Sequence, residues 1–331
     1  MHLSNALVSA QLAVGQQSCR RSSEIPDSRA KGGRMFPAPI LEYFRPASVG
    51  EATRLLSGGA GENAHIIAGG QSLMQAIKSR LISPDALIDL QDIKALRSIH
   101  FDKNGLVIGA MTSYADIASD KRIPAAFAAL CDAAGHVGDR QVRNRGTIGG
   151  SLCWNYIAAC LPPTCLGLSA TLELQNAAGR RRMVEARAFL KGPLETDRSS
   201  DELLIAIHLG PAAARTGSAY RKWGLVTDAL PVVNICVSLE VGADHICREA
   251  RVALGARSEG PTRVEAAELA LRGVRKGDVR AIDAALDAAA EAADYQSDLW
   301  ADAPYKKVLL RKIGREAVTV AFARASGEVG K

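Results

Sequence analysis

The segment "RNRGTIGGSL", Arg143 to Leu152, is the stretch on which the interpretation of this chain depends. It places three glycines among ten residues, with two arginines upstream and a hydroxyl group on each side of the glycine pair. This composition is typical of neither a strand nor a helix, because glycine weakens the interior of both. Two interpretations are open from the segment alone: a tight turn, or a loop whose backbone N–H groups bind an anion.

A second glycine pair lies upstream in "AGGQSL", Ala68 to Leu73. We predict that both this pair and the pair in "TIGGSL", Thr147 to Leu152, follow the end of a strand. Glycine lets the backbone approach a diphosphate and direct its N–H groups at the oxygens, and the following serine supplies another donor. A single glycine pair is more often a turn than a phosphate loop. A second, similar segment favours phosphate binding, and together the two segments leave the interpretations evenly balanced.

The remaining pattern predicts an α+β chain. Ser48 and Glu51 form a predicted capping box for a helix that ends at the glycine pair 58–59. Short apolar strands and helices continue to a predicted boundary near residue 210, and strands followed by three helices come after it. The last helix carries one apolar face that we expect to cover a sheet, formed by Leu309, Ile313, Ala317 and Val320.

Composition excludes several classes of protein. The chain has 331 residues, 47% of them hydrophobic, and a net charge of +6. No apolar run approaches the roughly 20 residues of a membrane-spanning helix. The charge forms no dense basic stripe, which disfavours nucleic-acid binding. Seven cysteines without regular spacing indicate reduced thiols and a cytoplasmic protein.

The first 34 residues differ in composition from the rest. They contain five basic and two acidic side chains, which account for half of the net charge. We expect a disordered tail or a mis-assigned start, with Met35 as the natural first residue. A secretory signal is the alternative, but the segment lacks a basic n-region and glutamines interrupt its apolar part.

No catalytic constellation or metal motif is visible. The chain contains neither H-E-x-x-H nor G-x-S-x-G, and its six histidines are scattered. Cys153, Cys160 and Cys165 lack C-x-x-C spacing. We therefore expect buried thiols, no metal site and no catalytic side chain.

Four motifs in order resemble a known family: "IIAGGQSLMQAIKSRLISPDALIDLQDI", "VRNRGTIGGSL", "FLKG" and "ARVALGA". They are similar to the FAD-binding medium subunit of molybdenum hydroxylases, the group that includes carbon monoxide dehydrogenase and xanthine dehydrogenase. The resemblance covers about residues 35 to 325. It implies a two-part FAD-binding domain of the vanillyl-alcohol-oxidase (PCMH) type at 35–210 and a C-terminal α+β domain with a small antiparallel sheet and helices at 211–326. The segments 1–34 and 327–331 are predicted tails.

The resemblance also implies FAD, with its diphosphate between the two glycine loops. An aromatic side chain against the isoalloxazine is expected, with a lysine nearby. The residues implied in cofactor binding are Ala68, Gly69, Gly70, Gln71, Ser72 and Leu73 in one loop, Thr147, Ile148, Gly149, Gly150 and Ser151 in the other, and Tyr220 with Lys222.

By the same resemblance, the chain is an electron-transfer subunit. A large molybdopterin subunit and a small [2Fe–2S] subunit are the implied partners, and NAD, a quinone or oxygen is the implied external acceptor. The chain departs from the family at Cys160, where relatives commonly carry an aspartate, and a thiol is the weaker hydrogen-bond partner. Two alternatives stay open: a structural subunit that has lost FAD, motivated by Cys160 and Tyr156 in place of the expected polar stretch, or a free-standing flavin oxidase.

Overall fold

A computed structural model describes residues 42–328 of the chain. The predicted tail at 1–34 and the natural start predicted at Met35 lie outside the described residues, as do residues 329–331. The described part contains four sheets, and three of them carry most of the fold.

The first sheet has three parallel strands in the order β1-β3-β2. The predicted cap by Ser48 forms at its first helix, because the Ser48 hydroxyl accepts a hydrogen bond from the Glu51 N–H at 3.2 Å. The Glu51 carboxylate accepts from the Ala47 N–H at 2.8 Å and not from the Ser48 N–H that a capping box requires. The predicted stop is also present, because a π-helical turn that follows this helix ends at Gly59. The elements are β1 (Glu42–Phe44), α1 (Val49–Arg54), β2 (Ala64–Ile67), α2 (Leu73–Lys78) and β3 (Ala86–Asp89).

The second sheet has five antiparallel strands in the order β4-β5-β10-β6-β7. Six helices and a short hairpin, β8 with β9, are inserted between its strands. The strands are β4 (Ile99–Asp102), β5 (Gly105–Gly109), β6 (Thr171–Gln175), β7 (Arg181–Glu185), β8 (Leu190–Gly192), β9 (Glu195–Thr196) and β10 (Leu203–Leu209). The helices are α3 (Tyr114–Ser119), α4 (Ala128–Gly135), α5 (Arg140–Arg145), α6 (Ile148–Trp154), α7 (Leu161–Gly167) and α8 (Ala186–Phe189).

The third sheet has four antiparallel strands in chain order, followed by three helices. Leu309, Ile313 and Ala317 of the last helix are buried against this sheet as predicted, and Val320 is half-buried at its edge. The elements are β11 (Thr216–Trp223), β12 (Val233–Val241), β13 (Cys247–Gly255), β14 (Thr262–Arg263), α9 (Glu265–Leu271), α10 (Val279–Glu291) and α11 (Ala303–Ala325).

The third sheet is buried on both faces. One face packs on α10 and α11. On the other face, Tyr220, Cys236 and Ala253 are cross-strand neighbours and join the core that lies beneath α4 and α7. The near-continuous apolar pattern of these strands follows from this double burial.

The predicted α+β class is confirmed, as is a small antiparallel sheet with helices in the C-terminal part. None of the helices within residues 42–328 has the length and apolarity required to cross a membrane.

Candidate functional site

The two glycine segments, which are far apart in sequence, meet in the structure. Gly69 lies directly on the backbone of the second segment, and a Cβ atom added to it would stand 2.0 Å from the Arg145 carbonyl oxygen. The Ala68 methyl group lies close to Gly150, 3.6 Å from where a Cβ atom of that residue would be. The close contact at Gly69 is therefore possible only because this residue has no side chain.

The first segment follows the end of β2, as predicted. Gly70 has φ +72°, in the left-handed region that favours glycine, and the chain then enters α2. Ser72 stands at the N-cap of α2 without a side-chain capping bond and is exposed, as is Gln71. Within residues 42–328, the backbone N–H groups of residues 69–72 donate no hydrogen bond to another residue. Four amide donors are thus available at this turn.

The second segment differs from the prediction. Its glycine pair does not follow a strand but lies in the first turn of α6, which is separated from α5 by Gly146 and Thr147. The Thr147 hydroxyl caps α6 by accepting a hydrogen bond from the Gly150 N–H at 3.1 Å. The prediction missed this helix because two glycines lower helix propensity, and the cap together with tertiary packing outweighs that cost.

The amide groups of residues 148–151 in the second segment are already in use. The N–H groups of Ile148 and Gly149 donate to the carbonyl oxygens of Thr112 and Ala110, at 3.1 and 2.8 Å. Gly149 also packs so closely on Ala110 that a Cβ atom would meet its carbonyl oxygen at 2.6 Å. This segment therefore anchors the site, and the first segment supplies the open donors.

A cavity of about 260 Å³ lies where the two segments meet. Arg145 and Arg97 contribute positive charge to its lining, and Asp116 contributes a carboxylate. Arg143 is directed away, because its guanidinium donates to the carbonyl oxygens of Val137 and Gly138. The cavity is lined by Ala68, Gly69, Gln91, Arg97, Met111, Ser113, Ala115, Asp116, Asn144, Arg145 and Thr147.

The other implied residues of the loops are not among those that line the cavity. Leu73 and Ile148 are buried as the first residues of α2 and α6. Ser151 is half-buried and lies within hydrogen-bonding reach of the Tyr114 side chain. Burial raises the pKa of Tyr114 to about 12. Several lining residues were not predicted. Arg97, Gln91 and Ser113 lie outside both glycine motifs and come to the cavity only through the tertiary fold, whereas Asn144 lies within the segment from Arg143 to Leu152.

Tyr220 and Lys222 stand apart from the cavity, on β11. Tyr220 is fully buried, so no face of its ring is accessible, and the contact implied for it with an isoalloxazine stays a prediction. Lys222 is half-buried, and its amine donates to the Ala229 carbonyl oxygen at 2.6 Å. Burial lowers the pKa of this amine, and the Cys160 thiol lies nearby.

Cys160 is buried between these side chains. Burial raises the pKa of its thiol, so the group is uncharged near neutral pH. The hydroxyl of Tyr220 and the side-chain oxygen of Asn234 are also buried, and neither forms a hydrogen bond within the described residues. The part of the chain that the structure describes contains no group of three His, Cys, Asp or Glu side chains arranged to hold a metal ion.

Comparison with known proteins identifies two family models along the chain. Residues 38–212 match the FAD binding domain in molybdopterin dehydrogenase, and residues 218–321 match the CO dehydrogenase flavoprotein C-terminal domain. The carbon monoxide dehydrogenase medium chain of Hydrogenophaga pseudoflava is 34% identical over 88% of this chain and 100% of its own length. The nicotine 6-hydroxylase medium subunit of Paenarthrobacter nicotinovorans is 31% identical over 86% of this chain and 99% of its own.

Solved structures show the same likeness. The structure of the Hydrogenophaga pseudoflava carbon monoxide dehydrogenase that lacks the Mo-pyranopterin moiety superposes with a TM-score of 0.81 at 35% identity, over 87% of this chain and 99% of that chain. Quinoline 2-oxidoreductase from Pseudomonas putida 86 gives a TM-score of 0.80 at 29% identity, over 88% of this chain and 99% of that chain.

Proposed function

The chain belongs to the family of FAD-binding flavoprotein subunits of molybdopterin dehydrogenases, and from this premise we propose that it transfers electrons within such a complex. The family predicted from the glycine motifs is confirmed, and with it the oxidoreductase class. We propose that electrons arrive from [2Fe–2S] clusters on a small partner subunit. They leave to an external acceptor such as NAD, a quinone or oxygen.

The meeting of the two glycine segments carries the proposal. A diphosphate needs a close backbone, free N–H donors and positive charge. Residues 69–72 offer four amides without acceptors in the described chain, and Arg145 stands at the same cavity. A Cβ at Gly69 would collide with the facing backbone. These features fit FAD.

Each loop has its own task in this proposal. The amides of residues 69–72 and the Ser72 hydroxyl bind the diphosphate, while Arg145 balances its charge. The residues from Thr147 to Ser151 hold the opposite wall rigid through the cap of α6 and the bonds to Ala110 and Thr112. Bound FAD supplies the redox chemistry, and the protein supplies position and electrostatics.

The proposal extends to the remaining implied residues and to the assembly. The proposal places the isoalloxazine end of FAD toward Lys222 and Tyr220, the two side chains beside Cys160. A large molybdopterin subunit completes the complex, and the chain divides into an FAD-binding domain at 35–210 and a C-terminal domain at 211–326. The cytoplasm is the proposed location, which the six cysteines of the described residues support, because none of these six forms a disulfide.

Flavin retention tests the proposal. We expect the complex purified from its native source to contain FAD and to include a large and a small subunit. In the Ser72→Glu variant, a carboxylate next to the free amides repels the diphosphate and lowers FAD affinity about tenfold or more. Ser57→Glu is the matched control, because Ser57 is also exposed and lies at a glycine pair outside the cavity. Equal FAD affinity in the two variants would contradict the proposal.

Cys160 motivates the alternative of a structural subunit without FAD. Cys160→Asp restores a carboxylate close to Lys222, and we expect it to raise FAD affinity several-fold, because a carboxylate is the stronger acceptor. Cys165→Asp is the control: Cys165 is fully buried in the core, so the charge there destabilises the fold instead. Equilibrium titration with FAD measures the first effect. A native complex without flavin, and no flavin uptake by Cys160→Asp, would favour the structural subunit.

A further inference from the structure

A second cavity of about 230 Å³ lies between the β8–β9 hairpin and the third sheet. It shares no lining residue with the cavity at the glycine segments. Its walls approach each other at Gly192 and Gly260, where a Cβ on Gly260 would stand 3.7 Å from the Gly192 backbone. Four cationic side chains and one carboxylate line it: Arg187, Lys191, Arg257, Arg263 and Glu259.

Arg257 is the central feature of this cavity. Its side chain is more than nine-tenths buried, and its Nε donates to the Ala293 carbonyl oxygen at the end of α10. Neither terminal nitrogen donates a hydrogen bond to any residue that the structure describes; the nearest carboxylate oxygen, on Glu259, is 3.9 Å from Nη2. A guanidinium that is anchored through Nε and keeps its terminal donors open to a cavity favours an oxyanion, because it offers a planar fork in a fixed position.

The other cations differ in how firmly they are paired. Arg263 is held by two hydrogen bonds from its guanidinium to the buried Glu268, so it forms a fixed wall. Arg187 and Lys191 have carboxylate partners at 3.2 and 3.4 Å, but both cations are solvent-exposed, and only the partner of Lys191 is partly buried. Exposed ion pairs contribute little, so these two cations can turn to a ligand at small cost.

Glu259 opposes the binding of an anion. Its side chain is 73% exposed and stands at the mouth, where it is free to swing into solvent. Its charge lowers the affinity of the cavity for anions without blocking the Arg257 guanidinium. Removal of this carboxylate is therefore expected to raise the affinity of the cavity for anions.

We propose that this cavity is a binding site for a small oxyanion, either inorganic phosphate or the phosphate or carboxylate group of a small metabolite. Arg257 binds the oxygens in a bidentate manner at the base, and Lys191 with Arg187 closes over it from the rim. The volume admits a ligand of a few heavy atoms beyond the oxyanion itself and excludes a dinucleotide.

Calorimetric titration of the full chain with inorganic phosphate tests the proposal. Saturating FAD is present to fill the glycine segments, and sodium chloride keeps the ionic strength constant. We expect Arg257→Gln to lower phosphate affinity at least about tenfold, and Lys191→Gln and Arg187→Gln about threefold each. Glu259→Gln should raise the affinity. A parallel titration with malonate distinguishes a carboxylate ligand from a phosphate ligand.

Arg181→Gln is the matched control for Arg187→Gln, because Arg181 is equally exposed and pairs with a carboxylate at 3.0 Å outside the cavity. Arg257→Gln could weaken the fold through the lost bond to Ala293, whereas the three rim variants are exposed and keep the test independent of folding. Absence of heat with both anions would overturn the proposal. Binding that Lys191→Gln and Glu259→Gln leave unchanged would overturn it as well.

Discussion

Gly69 shows how a single residue without a side chain fixes the site. The carbonyl oxygen of Arg145 occupies the space that a Cβ would take, at 2.0 Å, and the Gly146 Cα lies 2.8 Å from the same point. Both neighbours are backbone atoms, so neither can move aside by rotating a side chain. A substitution here must therefore separate the two glycine segments.

We expect Gly69→Ala to lower the free energy of unfolding by about 1–3 kcal/mol, as overpacking does, and to abolish FAD retention. Gly50→Ala is the control, because Gly50 lies in α1 with no atom within 4 Å of an added Cβ. In that helix, alanine stabilises by up to about 1 kcal/mol. Urea denaturation and FAD titration of both variants measure the two effects. A Gly69→Ala protein as stable as Gly50→Ala would show that the segments do not meet closely.

Among the secondary-structure elements, α4 is joined to β11 and α11 by one carboxylate. Asp132 of α4 accepts hydrogen bonds from both terminal nitrogens of Arg324, at 2.7 and 2.9 Å. It also accepts from the Tyr220 N–H at 3.1 Å and from Arg221 at 3.2 Å. Since Arg324 is nearly fully buried, this carboxylate is the counter-charge that its position requires.

Replacement of this carboxylate by an amide leaves Arg324 charged and buried. We expect Asp132→Asn to destabilise the protein by about 3–5 kcal/mol, because breaking a buried ion pair strands the remaining charge. Asp287→Asn breaks the solvent-exposed pair with Arg311 between α10 and α11, and its expected cost is about 0–1 kcal/mol. Guanidinium denaturation of both variants gives the comparison. Equal losses would mean that the Asp132 network does not hold these elements together.

For the whole molecule, the burial of thiols makes the free energy of unfolding depend on pH in the alkaline range. Burial raises the pKa of Cys153 to about 11 and that of Cys165 to about 12, from an ordinary value of 9.0. It also raises the pKa of Cys160 and Cys236. The folded state therefore keeps protons that the unfolded chain releases above about pH 9.

The sign of the effect follows from these raised pKa values. Their contribution to stability is complete below pH 9 and is lost as the pH rises toward 12. We expect the free energy of unfolding to fall by about 1.4 kcal/mol per pH unit for each buried thiol that only the unfolded chain has ionised. Cys165→Ala should give a shallower decline. Denaturation at fixed pH values from 8 to 11 measures it, and a flat profile would be inconsistent with buried, protonated thiols.

The amino-acid sequence determined those features that depend on local pattern. Apolar periodicity and capping residues predicted the α+β class, the helix that begins after Ser48, and the buried face of α11. The two glycine pairs predicted the family. The position of a glycine in a motif is specific, because only a few backbone conformations and close contacts of the backbone with another group require this residue.

The tertiary structure decided where contacts between distant residues override the local conformational preference of the chain. It made the second glycine pair a helical turn, because the Thr147 cap and contact with Ala110 outweigh the low helix propensity of glycine. It turned Arg143 away and brought Arg97 and Arg145 to the same cavity. It also buried Tyr220 and left the Arg257 fork open. These outcomes depend on contacts between residues distant in sequence. No local pattern specifies which acceptor will bind a given N–H donor or which side chains will bury an aromatic ring.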